Sequence, residues 1–210
     1  MEQQNADTRD WRRERVLRRL LDPFFGGKSP SLYRIAKDAE MSYSWVHAIA
    51  QDLVQLGALS KAGDGSVKLV RPEQAYDYWR NHRASRTFAE YQVSDPMALL
   101  QSTSLHYAAT TYYADNAIQG YLFPRRADIY IRVNDAEKWH AELVKSGFVG
   151  AGNFRIIVAD PDLVEEVMPV AGAKKANITT VRVPQLILDL LEEGGPCTEA
   201  ARLLMEKTYA

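Results

Sequence analysis

Tyr43, Ser44, His47, Ala48 and Gln51 follow one another at alternating steps of one and three residues, the spacing that lines side chains along one stripe of a helix. Four of them carry hydrogen-bonding groups, and none is a strong acid. Such a stripe, with Ser42 just before it as a further candidate contact, suits the edges of bases in a DNA major groove. There Gln51 can pair with adenine, Ser44 with several bases or a phosphate, and Tyr43 and His47 with either. Arg34, Lys61 and Lys68 lie on flanking segments and suit phosphate contacts, which fix register without reading sequence. The helix carrying the stripe has no Arg or Lys of its own and includes Asp52. Phosphate neutralisation would then fall to Arg34, the lysines, the arginines near the N-terminus, or a second copy in a homodimer.

Other chemistries find little to work with. The single cysteine, Cys197, excludes an internal disulfide, and His47, His82, His106 and His140 stand at no metal-ligand spacing. Neither a phosphate-binding GxxxxGK[ST] loop nor a GxSxG elbow occurs, and Cys197 has no histidine near it in sequence. Asp160 and Asp162 resemble a carboxylate pair, yet in DPDLVEEV they read more simply as a helix cap with acids favoured by the helix dipole. Asp128, beside Arg125-Arg126, has no assignable role. The residues therefore predict no enzyme, no metal and no cofactor.

The elements that must hold the stripe follow from periodicity. Trp11, Val16, Leu17, Leu20 and Leu21 share one face of a first helix, ended by Asp22-Pro23 and Gly26-Gly27. Ser29-Pro30-Ser31 then offers capping oxygens to a second, with Leu32, Ile35, Ala36 and Ala39 as its apolar stripe. Glu40-Met41 makes a tight connection, and Ser42 caps a third helix whose Val46, Ile49, Ala50, Leu53 and Leu56 predict a buried face, stopped by Gly57. Trp45 reads either as a core residue or as an exposed stacking group. Ala58–Lys61, the turn Ala62-Gly63-Asp64-Gly65 and Ser66–Val70 predict a β-hairpin. Three helices followed by such a hairpin are a winged helix-turn-helix. Pro72 opens a further helix with Ala75, Tyr76 and Trp79 inward.

The second half predicts an α/β arrangement, a small sheet covered by helices, so that the whole chain reads as α+β. Residues 81–96 read as an extended linker, with one strand at Thr87–Val93, and the domain boundary falls near residue 92, giving domains 1–92 and 93–210. From Ser104, LHYAATTYYADNAIQGYL reads as one helix, its tyrosines 107, 112, 113 and 121 serving either packing or a binding surface. Ala127–Val133 and Phe154–Val158 read as strands, with a helix between them capped by Asp135 and ended by Gly147. A short helix after Asp160, a turn at Gly172, a third strand at Thr179–Val183 and two closing helices complete the pattern.

Composition agrees with a soluble globular chain: 46% hydrophobic, 25% charged, with no apolar run able to span a bilayer and no signal-like N-terminus. A cytoplasmic protein without membrane contact is expected. The net charge of −1 divides unevenly. Residues 1–92 hold 15 Lys and Arg against 12 Asp and Glu, residues 93–210 hold 11 against 15. A basic first half agrees with a polyanionic partner, or simply with unequal solvated surfaces.

Two resemblances rest on these residues. MSYSWVHAIAQDLVQLGALSK, through the spacing of Val46, Leu53 and Gly57 and the position of Leu59, resembles winged-helix regulators of the MarR-like and related groups. VRVPQLILDLLEEGGPCTEAARLLMEK resembles the end of the AbiEi group of antitoxins from type IV toxin–antitoxin systems. The matching residues are Pro184, Gln185, Leu188, Asp189, Leu190, Leu191, Gly194, Gly195, Glu199, Ala200, Ala201 and Leu204. That resemblance implies a regulator that represses its own operon through double-stranded operator DNA and counteracts a nucleotidyltransferase-like toxin encoded beside it. The alternative is a ligand-responsive winged-helix regulator whose second half is a sensor or dimerisation module.

Overall fold

The computed structural model describes residues 2–23, 31–63, 66–84, 86–165, 167–169 and 178–210. Gly26-Gly27, Ser29-Pro30, the Asp64-Gly65 part of the hairpin turn and the turn at Gly172 lie outside them. The chain is a mixed α+β protein that divides into two units, Met1–Ser85 together with Met205–Ala210, and Arg86–Leu204. The strand expected at Thr87–Val93 is present, but it is hydrogen-bonded on both edges within the second unit, so the division falls before residue 92.

In the first unit, α1 (Glu2–Leu21) begins earlier than the apolar period alone predicts, since no breaker interrupts residues 2–10. α2 (Leu32–Asp38) starts at Ser31, whose hydroxyl accepts from Arg34 N at 3.3 Å. α3 (Tyr43–Gln55) starts at Ser42, whose hydroxyl accepts from Trp45 N at 3.4 Å. Between them Glu40 adopts φ +54, a left-handed turn that lets Met41 N reach Ala36 O at 2.8 Å. The strands β1 (Leu59–Lys61) and β2 (Val67–Leu69) pair antiparallel, and α4 (Pro72–Asn81) follows with Pro72 in its first turn.

Val16, Leu17, Leu21, Ile35, Val46, Leu53, Tyr76 and Trp79 form the buried centre of this unit. Each full burial of such an aliphatic side chain contributes about 1.5–3 kcal/mol. Leu56 departs from expectation: it caps the C-terminus of α3 and is half exposed, because the chain leaves the helical phase at Gly57, φ +74. Trp45 is half-buried with the Arg13 guanidinium 5.9 Å from its ring. Tyr209 Oη donates to Leu21 O at 2.7 Å and so accepts from Tyr76 Oη at 2.8 Å.

The second unit is built on a seven-stranded sheet, larger than expected. Its strands are β3 (Thr87–Val93), β4 (Ala108–Thr110), β5 (Ala127–Ile131), β6 (Gly147–Val149), β7 (Phe154–Val158), β8 (Met168–Pro169) and β9 (Thr179–Thr180), in the order β6-β3-β7-β5-β4-β9-β8. Pairs β5–β7 and β4–β9 are parallel and the rest antiparallel. The helices are α5 (Pro96–Ser102), α6 (Thr111–Ile118), α7 (Ala136–Ser146), α8 (Pro161–Glu165), α9 (Val183–Glu193) and the part of α10 (Pro196–Tyr209) that precedes Met205.

Several expectations are corrected here. Residues 104–122 are not one helix, because Ala108–Thr110 pairs with Asp128–Tyr130 as a strand. Thr111, at φ +48, then turns sharply into α6. Such a conformation is costly for a β-branched residue and leaves no trace in apolar periodicity. Tyr107, Tyr112 and Tyr113 are buried, whereas Tyr121 is half exposed. Asp135 makes no side-chain cap; Lys138 Nζ reaches it at 3.2 Å instead. Gly147 does end α7 but opens β6, where a Cβ would stand 1.9 Å from Gln92 O. The third expected strand is only Thr179–Thr180, since Val183 already begins α9.

The two sheet faces differ in chemistry. Cross-strand register puts Ala89, Ile156, Ile129 and Ala109 in one row and Glu90, Arg155, Asp128 and Thr110 in the adjacent row. Successive rows point to opposite faces. The apolar face receives α7, whose Trp139 lies 6.3 Å from Phe154, ring centre to ring centre, and edge-on to Tyr107. The polar face receives α9.

Candidate functional site

In the first unit the third helix turns its apolar residues inward and leaves Tyr43, Ser44 and Ala48 exposed, with His47 and Gln51 half-buried beside them. Ser42 is occupied as the N-cap, its hydroxyl also 3.2 Å from that of Ser44. Tyr43 and His47 stand one turn apart with ring centres 5.9 Å apart. The hairpin adds the cation that the helix lacks. Lys61 pairs with the buried Val67, so both face the helices, and its ammonium donates to Gln51 Oε1 at 2.8 Å and lies 3.5 Å from His47 Nε2. One exposed surface therefore joins Tyr43, Ser44, His47, Gln51 and Lys61.

The other two expected cations stand differently. Lys68 pairs with Ser60, and both point to the face of the hairpin opposite Lys61. Arg34 is exposed on α2, its Nε 3.7 Å from Asp38. Asp52, the acid expected to oppose an anionic partner, accepts from Tyr78 Oη of α4 at 3.0 Å and so lies off the stripe. Burial, then that bond, pushes the Tyr78 phenol up to about 12. Glu14, which sequence reasoning passed over, is buried on α1. It accepts from Arg83 Nη1 at 3.0 Å and Ala84 N at 2.8 Å.

The second unit holds an ionic network on the polar face of its sheet. Asp128, fully buried, accepts from Arg126 Nε at 2.7 Å, Arg155 Nε at 2.8 Å and the Thr111 hydroxyl. The same two arginines reach Glu193 at 2.8 and 3.1 Å. Burial alone would raise the Glu193 carboxyl, but the hydrogen bonds and charges of Arg126 and Arg155 outweigh it and hold it below the usual carboxylate range. Next to it, Asp189 accepts from Thr110 Oγ1 at 2.7 Å, Tyr130 Oη at 2.9 Å and Gln185 Nε2 at 2.9 Å. Arg86 bridges Tyr130, Asp189 and Glu192.

Every carboxylate oxygen of Asp128 and Asp189 is thus engaged by a donor. Burial pushes the Cys197 thiol up, away from the reactive thiolate. The arrangement braces α9 against the sheet. Asp160 Oδ1 accepts from Asp162 N at 3.2 Å, a bond at the start of α8. Among the described residues no group of three His, Cys, Asp or Glu is placed to hold a metal ion, and no helix is long and apolar enough to cross a membrane.

A signal for the network was present in the sequence. Arg126, Asp128 and Tyr130 alternate along a strand, while Gln185, Asp189, Glu192 and Glu193 follow a helical step. Only the fold brings the two together, through the bonds of Tyr130 to Asp189 and of Arg126 to Glu193. The chain matches no protein-family model, no curated protein and no solved structure.

Proposed function

We propose that this chain is a DNA-binding transcription regulator. The first unit reads as a winged helix-turn-helix in which α2 and α3 are the helix-turn-helix, β1–β2 the wing and α3 the helix that enters the major groove. The observation that carries this reading is the surface joining Tyr43, Ser44, His47 and Gln51 to Lys61. It combines hydrogen-bonding groups suited to base edges with a cation suited to the backbone. The resemblance of residues 181–207 to the AbiEi group extends the proposal: the protein represses its own operon, and the second unit counteracts a nucleotidyltransferase-like toxin.

The test is a binding titration of the full chain against duplex from the region upstream of its own gene, at several salt concentrations. Binding should weaken steeply as salt rises. Replacing His47 or Gln51 with Ala should each cost about 1–3 kcal/mol, the worth of reading one base edge. Lys68→Ala should weaken all duplexes alike and flatten the salt slope. Absence of duplex binding at low salt would remove the proposal. The toxin claim is tested separately, by asking whether co-expression of this chain restores growth to cells expressing the neighbouring gene.

A further inference from the structure

We infer that Lys61 sets which base Gln51 reads, turning its preference from adenine to guanine. The inference rests on the DNA-binding reading above and concerns one position of the site.

A glutamine left to itself matches adenine in the major groove: its oxygen accepts from the adenine amino group while its nitrogen donates to N7. Here that oxygen is already engaged. The Lys61 ammonium lies 2.8 Å from Gln51 Oε1, and because an ammonium only donates, it is the oxygen and not the nitrogen that faces it. Gln51 Nε2 has no hydrogen-bond partner among the described residues and keeps both its protons for a ligand. Lys61 is held in place from below, as its backbone pairs with Val67, which is buried, in a strand facing the helix.

Gln51 and Lys61 together therefore present donors: the two amide protons and the ammonium proton that is turned to neither Gln51 nor His47. Guanine offers two acceptors on its major-groove edge, O6 and N7, and fits such a pair. Adenine brings an amino group, itself a donor, toward an oxygen that already carries a cation. The second lone pair of Oε1 stays available, but the approaching amino group meets the positive charge beside it, whereas guanine O6 is attracted by that charge. Cytosine presents an amino donor and is refused on the same ground; thymine O4 takes only one of the donors. Docking into the groove removes water and strengthens the charge-assisted bond between Lys61 and Gln51.

The experiment is selection from a randomised DNA duplex library by the full chain. Titration then follows of the selected duplex and its single-base-pair variants against the parent protein, Gln51→Ala and Lys61→Met. Both residues are at the surface, so circular dichroism should report unchanged folding. The parent should prefer G·C at one position by roughly 5- to 150-fold, the range of one bidentate base pairing. Gln51→Ala should flatten that position alone, and Lys61→Met should move its preference to A·T. The inference is overturned if Lys61→Met weakens every duplex equally and leaves the preference intact, for Lys61 would then serve a phosphate only. It is also overturned if the parent selects adenine at the position that Gln51→Ala flattens. A parent protein that binds no duplex at all removes the DNA-binding reading itself, and this inference with it.

Discussion

At the scale of single residues, burial decides what a polar group is for. Gln185 and Asp189 stand in the string that resembles the AbiEi group, yet both point inward, into bonds with each other, Tyr130 and Thr110. In this chain they hold α9 to the sheet, so the resemblance at those two positions speaks of fold. Glu193, at the rim of the same network, offers a test with a definite sign. Its carboxyl is held below the ordinary value, so its contribution is present above about pH 4.5 and disappears as pH falls through the depressed value. Glu193→Gln should cost about 1–3 kcal/mol at neutral pH. The difference from the parent should shrink toward zero in urea titrations at acid pH. A gap independent of pH would show that shape, not charge, is what Glu193 supplies. Asp128 had no readable role in the sequence because its partners Thr111 and Arg155 lie 17 and 27 residues away, joined only by the sheet.

At the scale of elements, what was legible is what local physics dictates. Helices α2, α3 and α4 follow from apolar stripes with Ser31, Ser42 and Pro72 at their starts, and the hairpin from a glycine turn between short alternating runs. What escaped is non-local. Ala108–Thr110 becomes a strand because Asp128–Tyr130 pairs with it, and Gly147–Val149 because Tyr91–Val93 does. No pattern inside three residues can announce either. Gly57 is the element-scale hinge of the proposed wing, sending the chain from α3 into β1 at φ +74. The nearest atom to an added Cβ is 3.5 Å away, so space is not the obstacle. Gly57→Ala should therefore cost about 1–2 kcal/mol through backbone conformation alone, and Gly57→Asn less. Thermal unfolding of the two variants measures the difference, and equal destabilisation would mean that packing rather than φ governs the site.

At the scale of the whole molecule, the two units are not two consecutive stretches of chain. Met205–Ala210 belongs with residues 1–85, and Tyr209 secures it by donating to Leu21 O and accepting from Tyr76. Tyr209→Phe removes both bonds and leaves the fully buried Tyr76 hydroxyl without its partner, at a cost of about 1–3 kcal/mol. A fluorescence-monitored denaturant midpoint should fall accordingly, and Tyr76→Phe combined with Tyr209→Phe should recover part of it. If the single variant unfolded at the parent's midpoint, the tyrosine pair would contribute nothing to the first unit.

That return of the chain also fixes an order of events at the ribosome. A nascent polypeptide emerges from its N-terminus, so the segment with Tyr209 is translated only after residues 86–204 have been made. The first unit therefore begins before the second and is completed only after it. A partly synthesised chain then holds the surface from Tyr43 to Lys61 while still lacking the tyrosine that bonds to Leu21 and Tyr76.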